Sequence, residues 1–255
     1  MGKVITIANH KGGVGKTTTV ASLGMGLALQ GKRVLLIDLD AQCNLTTLFV
    51  EGRPENTIFE ALTGDTDVLP VIHIQSNTRL DIVPSSLDLV GIEKALTLIV
   101  ADNIKELLLL RRLIEPVRAE YDYILIDCPP SLGILTKNAL VASDGVVITL
   151  TAESLPTMGM QSLMDGIEHI RRGLNRGLSL YGILLVRYNR RKLNRLVEEH
   201  LRSTYGEYVF KIKIRENVDL MEAPLYRKTI FDYAPQSNGA EDYRLLTAEI
   251  MNRYQ

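Results

Sequence analysis

Near its start, the sequence carries a loop rich in glycine and lysine, ANHKGGVGKTTT, at residues 8–19. The loop follows a short apolar run and precedes a helical pattern, which is the setting of a phosphate-binding loop. The common spacing, G-x-x-x-x-G-K-[ST], is met at Gly15, Lys16 and Thr17, but His10 stands where the first glycine is expected. A second lysine, Lys11, is also present. A loop of this kind requires an α/β domain in which the first strand ends at the phosphates.

The rest of the chain alternates between predicted strands and helices. Apolar runs rich in Val and Ile, without polar alternation, predict strands buried on both faces at 4–8, 33–40, 123–130, 145–152 and 181–188. Helical patterns occur at 16–30, 102–119, 133–142, 157–172, 191–204 and 239–253. A further strand is predicted at 79–86, and the segment 65–74 is ambiguous. The alternation predicts a doubly wound, mostly parallel sheet flanked by helices.

Length and charge limit the organisation and the partners. The 255 residues predict one P-loop domain over 1–255, and we expect no N-terminal helix-turn-helix extension because the loop begins at residue 10. Residues 171–228 contain 14 Lys and Arg against 6 Asp and Glu, whereas the remainder has 15 against 24. This asymmetry favours an anionic partner for the basic part, although a solvated surface would also account for it.

The two cysteines and the apolar runs bear on location. Cys43 and Cys128 lie far apart and fit no metal or redox spacing, which favours a reducing, cytoplasmic setting. No apolar run reaches the length of a membrane span. We therefore expect a cytoplasmic protein.

The glycine-rich loop predicts a site for a nucleoside triphosphate. Its glycines allow a tight turn that points N–H groups at oxygens, and the following helix adds its positive end. Lys16 is predicted to reach the β- and γ-phosphates, and the Thr17 hydroxyl to bind Mg²⁺. The predicted nucleotide-binding residues are Lys11, Gly12, Gly13, Val14, Gly15, Lys16, Thr17 and Thr18.

The second lysine requires a separate explanation. Within one subunit Lys16 already serves the phosphates, so Lys11 at the outer lip is predicted to reach the nucleotide of a neighbouring subunit. Each subunit would then supply a catalytic cation to the other, as an arginine finger does in trans. A solvated lysine is the alternative interpretation.

Several segments together resemble one family. KGGVGKTT is similar to the deviant Walker A loop of the ParA/MinD family of P-loop ATPases, and VLLIDLDAQCNLTTLF, YDYILIDCPPSLGILTKNAL and residues 205–243 resemble other parts of it. The likeness covers nearly the whole chain and is strongest to the short Soj-type proteins. It implies a slow ATPase that uses ATP and Mg²⁺, dimerises with ATP, binds double-stranded DNA nonspecifically on the nucleoid and is stimulated by a ParB-like partner in DNA partition.

Three carboxylates end predicted strands at the sheet edge where α/β proteins bind ligands. The resemblance implies that Asp40 activates the attacking water. Asp38 is predicted to support the metal or the loop geometry, with structural capping as an equal alternative. Asp127 is predicted to hold Mg²⁺ through water, as a Walker B aspartate does. The family pattern DPQ is Asp40-Ala41-Gln42 here, so this loop lacks the stiffening proline.

The strongest basic cluster is RYNRRKLNR, at residues 187–195. It runs from a strand end into a helix, so several cations should share a face. The resemblance implies DNA binding near Arg191, and the predicted DNA-binding residues are Arg187, Arg190, Arg191, Lys192, Arg195 and Arg215. In IRENVDLMEAP (214–224), acidic Glu216 and Asp219 replace basic family residues, and the family's adenine loop lies around 213–217. An ordinary solvated face is the alternative.

The alternatives belong to two other functional classes. A MinD-like ATPase acting in membrane-based or other intracellular positioning would need a basic amphipathic C-terminal helix, whereas DYRLLTAEIMNRYQ carries Asp242 and Glu249 and few cations. A metabolic P-loop enzyme, such as an amidoligase-like synthetase, would need a substrate pocket that the sequence does not indicate.

Overall fold

A seven-stranded sheet forms the centre of the described protein. The computed structural model describes residues 1–64, 66, 69–70, 72–73, 78–92, 104–152 and 158–254. The strands are β1 (Lys3–Ala8), β2 (Val34–Asp38), β3 (Ile72–His73), β4 (Leu80–Val83), β5 (Tyr123–Asp127), β6 (Gly145–Thr151) and β7 (Ser179–Val186). Their order is β3-β4-β2-β5-β1-β6-β7, and all neighbours are parallel except β3 with β4. The predicted doubly wound, mostly parallel architecture is confirmed.

Helices cover both faces of this sheet. They are α1 (Lys16–Leu29), α2 (Asn44–Phe49), α3 (Ile58–Thr63), α4 (Leu109–Ile114), α5 (Ile134–Ala142), α6 (Met158–Gly173), α7 (Lys192–Tyr205), α8 (Asp219–Glu222), α9 (Ile230–Tyr233) and α10 (Asn238–Arg253). Short 3₁₀ turns occupy Ile104–Leu108, Arg118–Glu120, Gly206–Tyr208 and Ala223–Tyr226.

The strands form where the apolar runs predict them, because both faces of the sheet are buried. β2 and β5 are buried at every position, and their Val, Leu and Ile side chains fill the cores on both sides. On one face α1 packs closely against α10, where a Cβ on Gly26 would lie 2.4 Å from the Thr247 hydroxyl. A bare backbone at Gly26 therefore lets the two helices approach each other.

One helix prediction was wrong in its length. The pattern 102–119 predicts one continuous helix, but the structure has a 3₁₀ turn, then α4 ending at Ile114, then a second 3₁₀ turn. Pro116 follows this end, and its missing N–H cannot continue the helical hydrogen-bond ladder. Residues 102–103 and residue 157 of the predicted helices lie outside the described residues. In the ambiguous segment 65–74, Ile72–His73 is an antiparallel edge strand, and most of the other positions lie outside the described residues.

The topology brings the candidate site residues to one edge. β5 lies between β1 and β2, and Asp127 is in register with Asp38 on one side and with Ile7 on the other. The carboxyl ends of these three strands therefore place the glycine-rich loop and the two strand-ending aspartates side by side, at the edge where open α/β sheets bind ligands.

Candidate functional site

The glycine-rich loop joins β1 to α1 and is shaped by its glycines. Gly13 and Gly15 have φ angles of 71° and 74°, in the left-handed region that only glycine adopts without strain. Gly15 is the N-cap of α1 and supplies no side-chain cap. The first N–H groups of this 14-residue helix are thus available to an anion, which the helix dipole also favours.

Lys16 lies inside the loop. Its side chain is buried, and its Nζ donates a hydrogen bond to the Lys11 carbonyl at 3.2 Å. Burial lowers the pKa of Lys16, and the nearby Asp127 carboxylate partly opposes that shift. A lysine ammonium held inside a glycine-rich loop is suited to bind a phosphate chain.

Asp127 and Thr17 form the part of the site that could hold a metal. The Thr17 hydroxyl donates to Asp127 Oδ2 at 2.6 Å, whereas the buried Asp127 Oδ1 has no hydrogen-bond partner among the described residues. Burial raises the pKa of Asp127 well above its usual value, and the neighbouring Asp38 charge raises it further. A cation near Oδ1 would relieve this cost.

These residues fit Mg²⁺. The described residues contain no group of three or more His, Cys, Asp or Glu side chains placed to hold a metal. Mg²⁺ takes few protein ligands when phosphates and waters complete its octahedron, and it prefers oxygen donors. One hydroxyl and one carboxylate with an unused oxygen meet that requirement.

The Asp38 carboxylate accepts hydrogen bonds from the residues that follow β2. Its Oδ1 accepts from the Asp40 backbone N–H at 3.0 Å, and its Oδ2 accepts from the Thr46 N–H at 2.9 Å and the Thr46 hydroxyl at 2.7 Å. Burial raises the pKa of Asp38 to about 6, although the bonds from Thr46 and Asp40 lower it. These bonds give Asp38 a role in loop geometry, and its predicted role at the metal stays a prediction.

Asp40 faces the cleft beside the glycine-rich loop. Its Oδ1 accepts from the Gln42 backbone N–H at 3.0 Å, and its carbonyl accepts from the Ser85 hydroxyl at 2.8 Å. The side chain is half-buried. The loop is therefore held by hydrogen bonds although it carries Ala41 where a proline would stiffen it.

A cleft of about 460 Å³ extends from the loop across the sheet edge. Its far wall is formed by Val186, Ile214, Leu220, Met221 and Tyr243, together with the polar segment 215–217. Apolar walls with a few polar groups suit a nucleotide base. Residues 214–217, part of the segment where the resemblance places the family's adenine loop, form part of this wall, and a role for them at a base stays a prediction. Sequence reasoning missed Tyr243 because no local motif marks a tyrosine of the last helix.

Lys11 differs from Lys16 in its surroundings. Its backbone N–H donates to Asn9 Oδ1 at 3.0 Å, and the side chain is exposed. Within the part of the chain that the structure describes, no hydrogen bond or ion pair holds its ammonium. The loop thus has one lysine directed inward and one at its solvent-facing lip.

The structure divides the predicted DNA-binding residues into three groups. The exposed cations Arg190, Arg191, Lys192 and Arg195 lie together at the start of α7, where Arg195 donates to the Arg190 carbonyl at 3.0 Å. We call these four residues the α7 basic cluster. Arg187 is exposed as well, but it lines the cleft, and its backbone has a left-handed φ of 52°.

Arg215 is the third case. Its guanidinium forms ion pairs with Glu241 at 2.6 Å and with Asp242 at 2.7 Å. Its charge is thus already compensated, which weighs against a contact with DNA. Its assignment to DNA stays a prediction that these ion pairs do not favour.

The fold and the site define a P-loop nucleoside triphosphatase of the deviant type, with two lysines in the loop. The model of a family described as AAA domain matches residues 2–180. The Bacillus subtilis (strain 168) sporulation initiation inhibitor protein Soj is 42% identical over 98% of both chains. The Myxococcus xanthus (strain DK1622) chromosome partitioning protein ParA is 40% identical over 99% of this chain and 89% of its own.

Solved structures share this fold. Cobyrinic acid a,c-diamide synthase from Mycobacterium smegmatis, with bound ADP and magnesium, has a TM-score of 0.84 at 31% identity, covering 100% of this chain and 96% of its own. A putative plasmid partition protein from Borrelia burgdorferi B31, bound to AMPPNP, has a TM-score of 0.81 at 29% identity over 100% of both chains. The chain belongs to the Soj/ParA family of partition ATPases, as its motifs predicted.

Among the described helices, none is both long and apolar enough to cross a bilayer.

Proposed function

We propose that this protein is an ATP- and Mg²⁺-dependent partition ATPase that forms a dimer with ATP and binds double-stranded DNA in that state. The observation that carries the proposal is the difference in burial between the two loop lysines. Lys16 is buried within the loop, whereas the Lys11 ammonium lies exposed at its lip. A cation in that position is available to the γ-phosphate of a nucleotide in a facing subunit.

The residues of one subunit have separate roles in hydrolysis. Lys16 and the first N–H groups of α1 bind the phosphates, and Thr17 and Asp127 would hold Mg²⁺. Bound Mg²⁺ neutralises charge on the phosphates. Asp40 orients the attacking water, and Lys11 of the facing subunit stabilises the charge that develops as the γ-phosphoryl group leaves. Hydrolysis removes the γ-phosphate that joins the subunits, so the dimer separates.

The α7 basic cluster is the proposed DNA-binding surface. Cations at a helix N-terminus oppose the helix dipole, and the first turn of α7 contains no acidic residue. The arrangement costs stability in the absence of an anion, but it suits phosphates, which attract both the cations and the free N–H groups. Phosphate contacts carry no base information, so binding is sequence-independent.

The family relationship also supports a partner and a location. The relatives named above are Soj and ParA, a sporulation inhibitor and a chromosome partitioning protein. By analogy, a ParB-like centromere-binding protein stimulates hydrolysis, and the ATP-bound dimer is cytoplasmic and associated with the nucleoid. The alternative MinD-like role is less well supported, because α10 buries its apolar side chains Tyr243, Leu246 and Ile250 in the core.

The test uses Lys11→Ala. Wild-type protein should double in mass by light scattering with Mg-ATP but not with Mg-ADP, and Lys11→Ala should bind ATP while remaining monomeric. Lys32→Ala is the matched control, because Lys32 precedes β2 at the opposite edge of the sheet. A Lys11→Ala protein that dimerises normally with ATP would show that this lysine does not act between subunits.

A further inference from the structure

The far wall of the cleft includes an extended segment, residues 214–217, that continues the sheet edge beyond β7. The Tyr188 N–H donates to the Ile214 carbonyl at 2.9 Å, and the Glu216 N–H donates to the Tyr188 carbonyl at 2.9 Å. Four successive residues, Ile214 to Asn217, line the cleft. The segment belongs to no regular strand, and these backbone bonds hold it from the β7 side only.

On its other side, an ion pair joins Arg215 of the segment to Asp242 of α10. The Arg215 N–H donates to Asp242 Oδ2 at 2.8 Å, and Arg215 Nε lies 3.0 Å from both oxygens of that carboxylate. Arg215 Nη2 donates to Asp242 Oδ1 at 2.7 Å. The Asp242 side chain is only 6% exposed. A buried carboxylate bound in this forked manner is a rigid joint between the segment and α10.

Asp242 is followed in α10 by a residue of the cleft wall. Tyr243 lines the same cleft, and its hydroxyl is hydrogen-bonded to the Thr19 hydroxyl at 3.1 Å, in the first turn of α1. Asp242 thus lies where the two parts of the far wall meet, the segment 214–217 and the face of α10. The near wall, at the glycine-rich loop, contains neither Arg215 nor Asp242.

We propose that Arg215, acting through Asp242, is a positioning residue for the nucleotide base. The ion pair fixes the segment 214–217 against α10 and so keeps the base pocket in its binding geometry before the nucleotide arrives. The phosphate end of the site does not depend on it. This role concerns nucleotide binding by the single subunit and is independent of the DNA binding proposed above.

The role predicts a selective loss of affinity. Inorganic tripolyphosphate carries the phosphate chain without a base, so it probes the loop alone. The double variant Arg215→Met/Asp242→Asn removes both charges and leaves no unpaired buried ion, which preserves the fold. Its affinity for Mg-ATP should fall about tenfold, the size of effect that a remote positioning residue exerts, while that for Mg-tripolyphosphate changes less than about twofold. Arg215→Lys, which keeps the charge but not the fork, should lose less.

Titration calorimetry with both ligands, and thermal unfolding of each variant, tests this. Arg171→Met is the control: it removes an exposed ion pair with Glu168 on α6, a helix that does not line the cleft, and should leave both affinities unchanged. Equal losses for ATP and tripolyphosphate, or an unchanged ATP affinity in a double variant that unfolds at the wild-type temperature, would overturn the positioning role. Wild-type protein that binds ATP no better than tripolyphosphate would overturn it too, because there would be no base pocket to position. A double variant that loses DNA binding but keeps its ATP affinity would also contradict the positioning role, because Arg215 would then be a DNA-binding residue.

Discussion

Reversal of a single charge in the α7 basic cluster gives the sharpest test of the DNA-binding surface. Each subunit exposes four cations there. The proposed ATP-bound dimer would present two such clusters. If half of these cations each neutralise one phosphate, the dimer makes ~4 contacts, and the slope of log affinity against log salt is about −3.6. A fourfold rise in salt then weakens binding by roughly 150-fold.

Arg191→Glu removes one contact from each subunit, so the slope should fall to about −1.8. The fold should not suffer, because Arg191 is the N-cap of α7 and makes no side-chain cap bond, and an acidic residue at a helix N-terminus is favoured by the dipole. A loss of DNA binding by this variant therefore cannot be attributed to unfolding of the helix. ATP-driven dimerisation should remain as in the wild type.

The assay is a fluorescence titration of a random-sequence duplex at two salt concentrations, with Mg-ATP or Mg-ADP. Arg176→Glu is the matched control, because Arg176 is exposed but precedes β7, at the other end of that strand from the cluster. The reasoning is refuted if both reversals reduce the salt slope equally, or if the wild type binds equally well with ADP. Binding to anionic vesicles with ATP and not to DNA would favour the MinD-like alternative.

Three further substitutions test the rest of the site. Lys16→Ala should abolish ATP binding in a calorimetric titration, since it removes the buried phosphate cation, and unchanged affinity would disprove the phosphate site. Asp40→Ala should bind ATP and accumulate as dimer but release no phosphate, whereas normal turnover would move the catalytic role to another carboxylate. Thr46→Val should lower the free energy of unfolding by about 2 kcal/mol, because the buried hydroxyl donates to Asp38 and accepts from the Ser85 N–H. Thr47→Val, at the exposed neighbouring position, should change it little. Equal effects of the two substitutions in denaturant titrations would contradict this account.

The positions of residues that end a strand or belong to the glycine-rich loop could be predicted from the sequence. A buried apolar run that ends in Asp127 marks the carboxyl edge of a parallel strand, and the loop after β1 must lie at that same edge. Lys16 and Thr17 belong to that loop, so they are expected to lie beside the Asp127 carboxylate. The observed bond between Thr17 and Asp127 joins residues 110 positions apart, yet both ends were predicted because each belongs to a motif with its own local pattern.

Arg187 and Arg215 could not be assigned in this way, because a charged residue in a basic segment has the same local pattern whatever it contacts. The fold separates them from the α7 basic cluster: Arg187 turns into the cleft through a left-handed backbone, and Arg215 meets Asp242 of α10. Neither Asp242 nor Tyr243 carries a motif, and their importance appears only when α10 packs against α1 and the segment 214–217. A count of cations in residues 171–228 therefore overstates the surface open to DNA. The four residues at the start of α7 are exposed, whereas the charge of Arg215 is paired with Glu241 and Asp242.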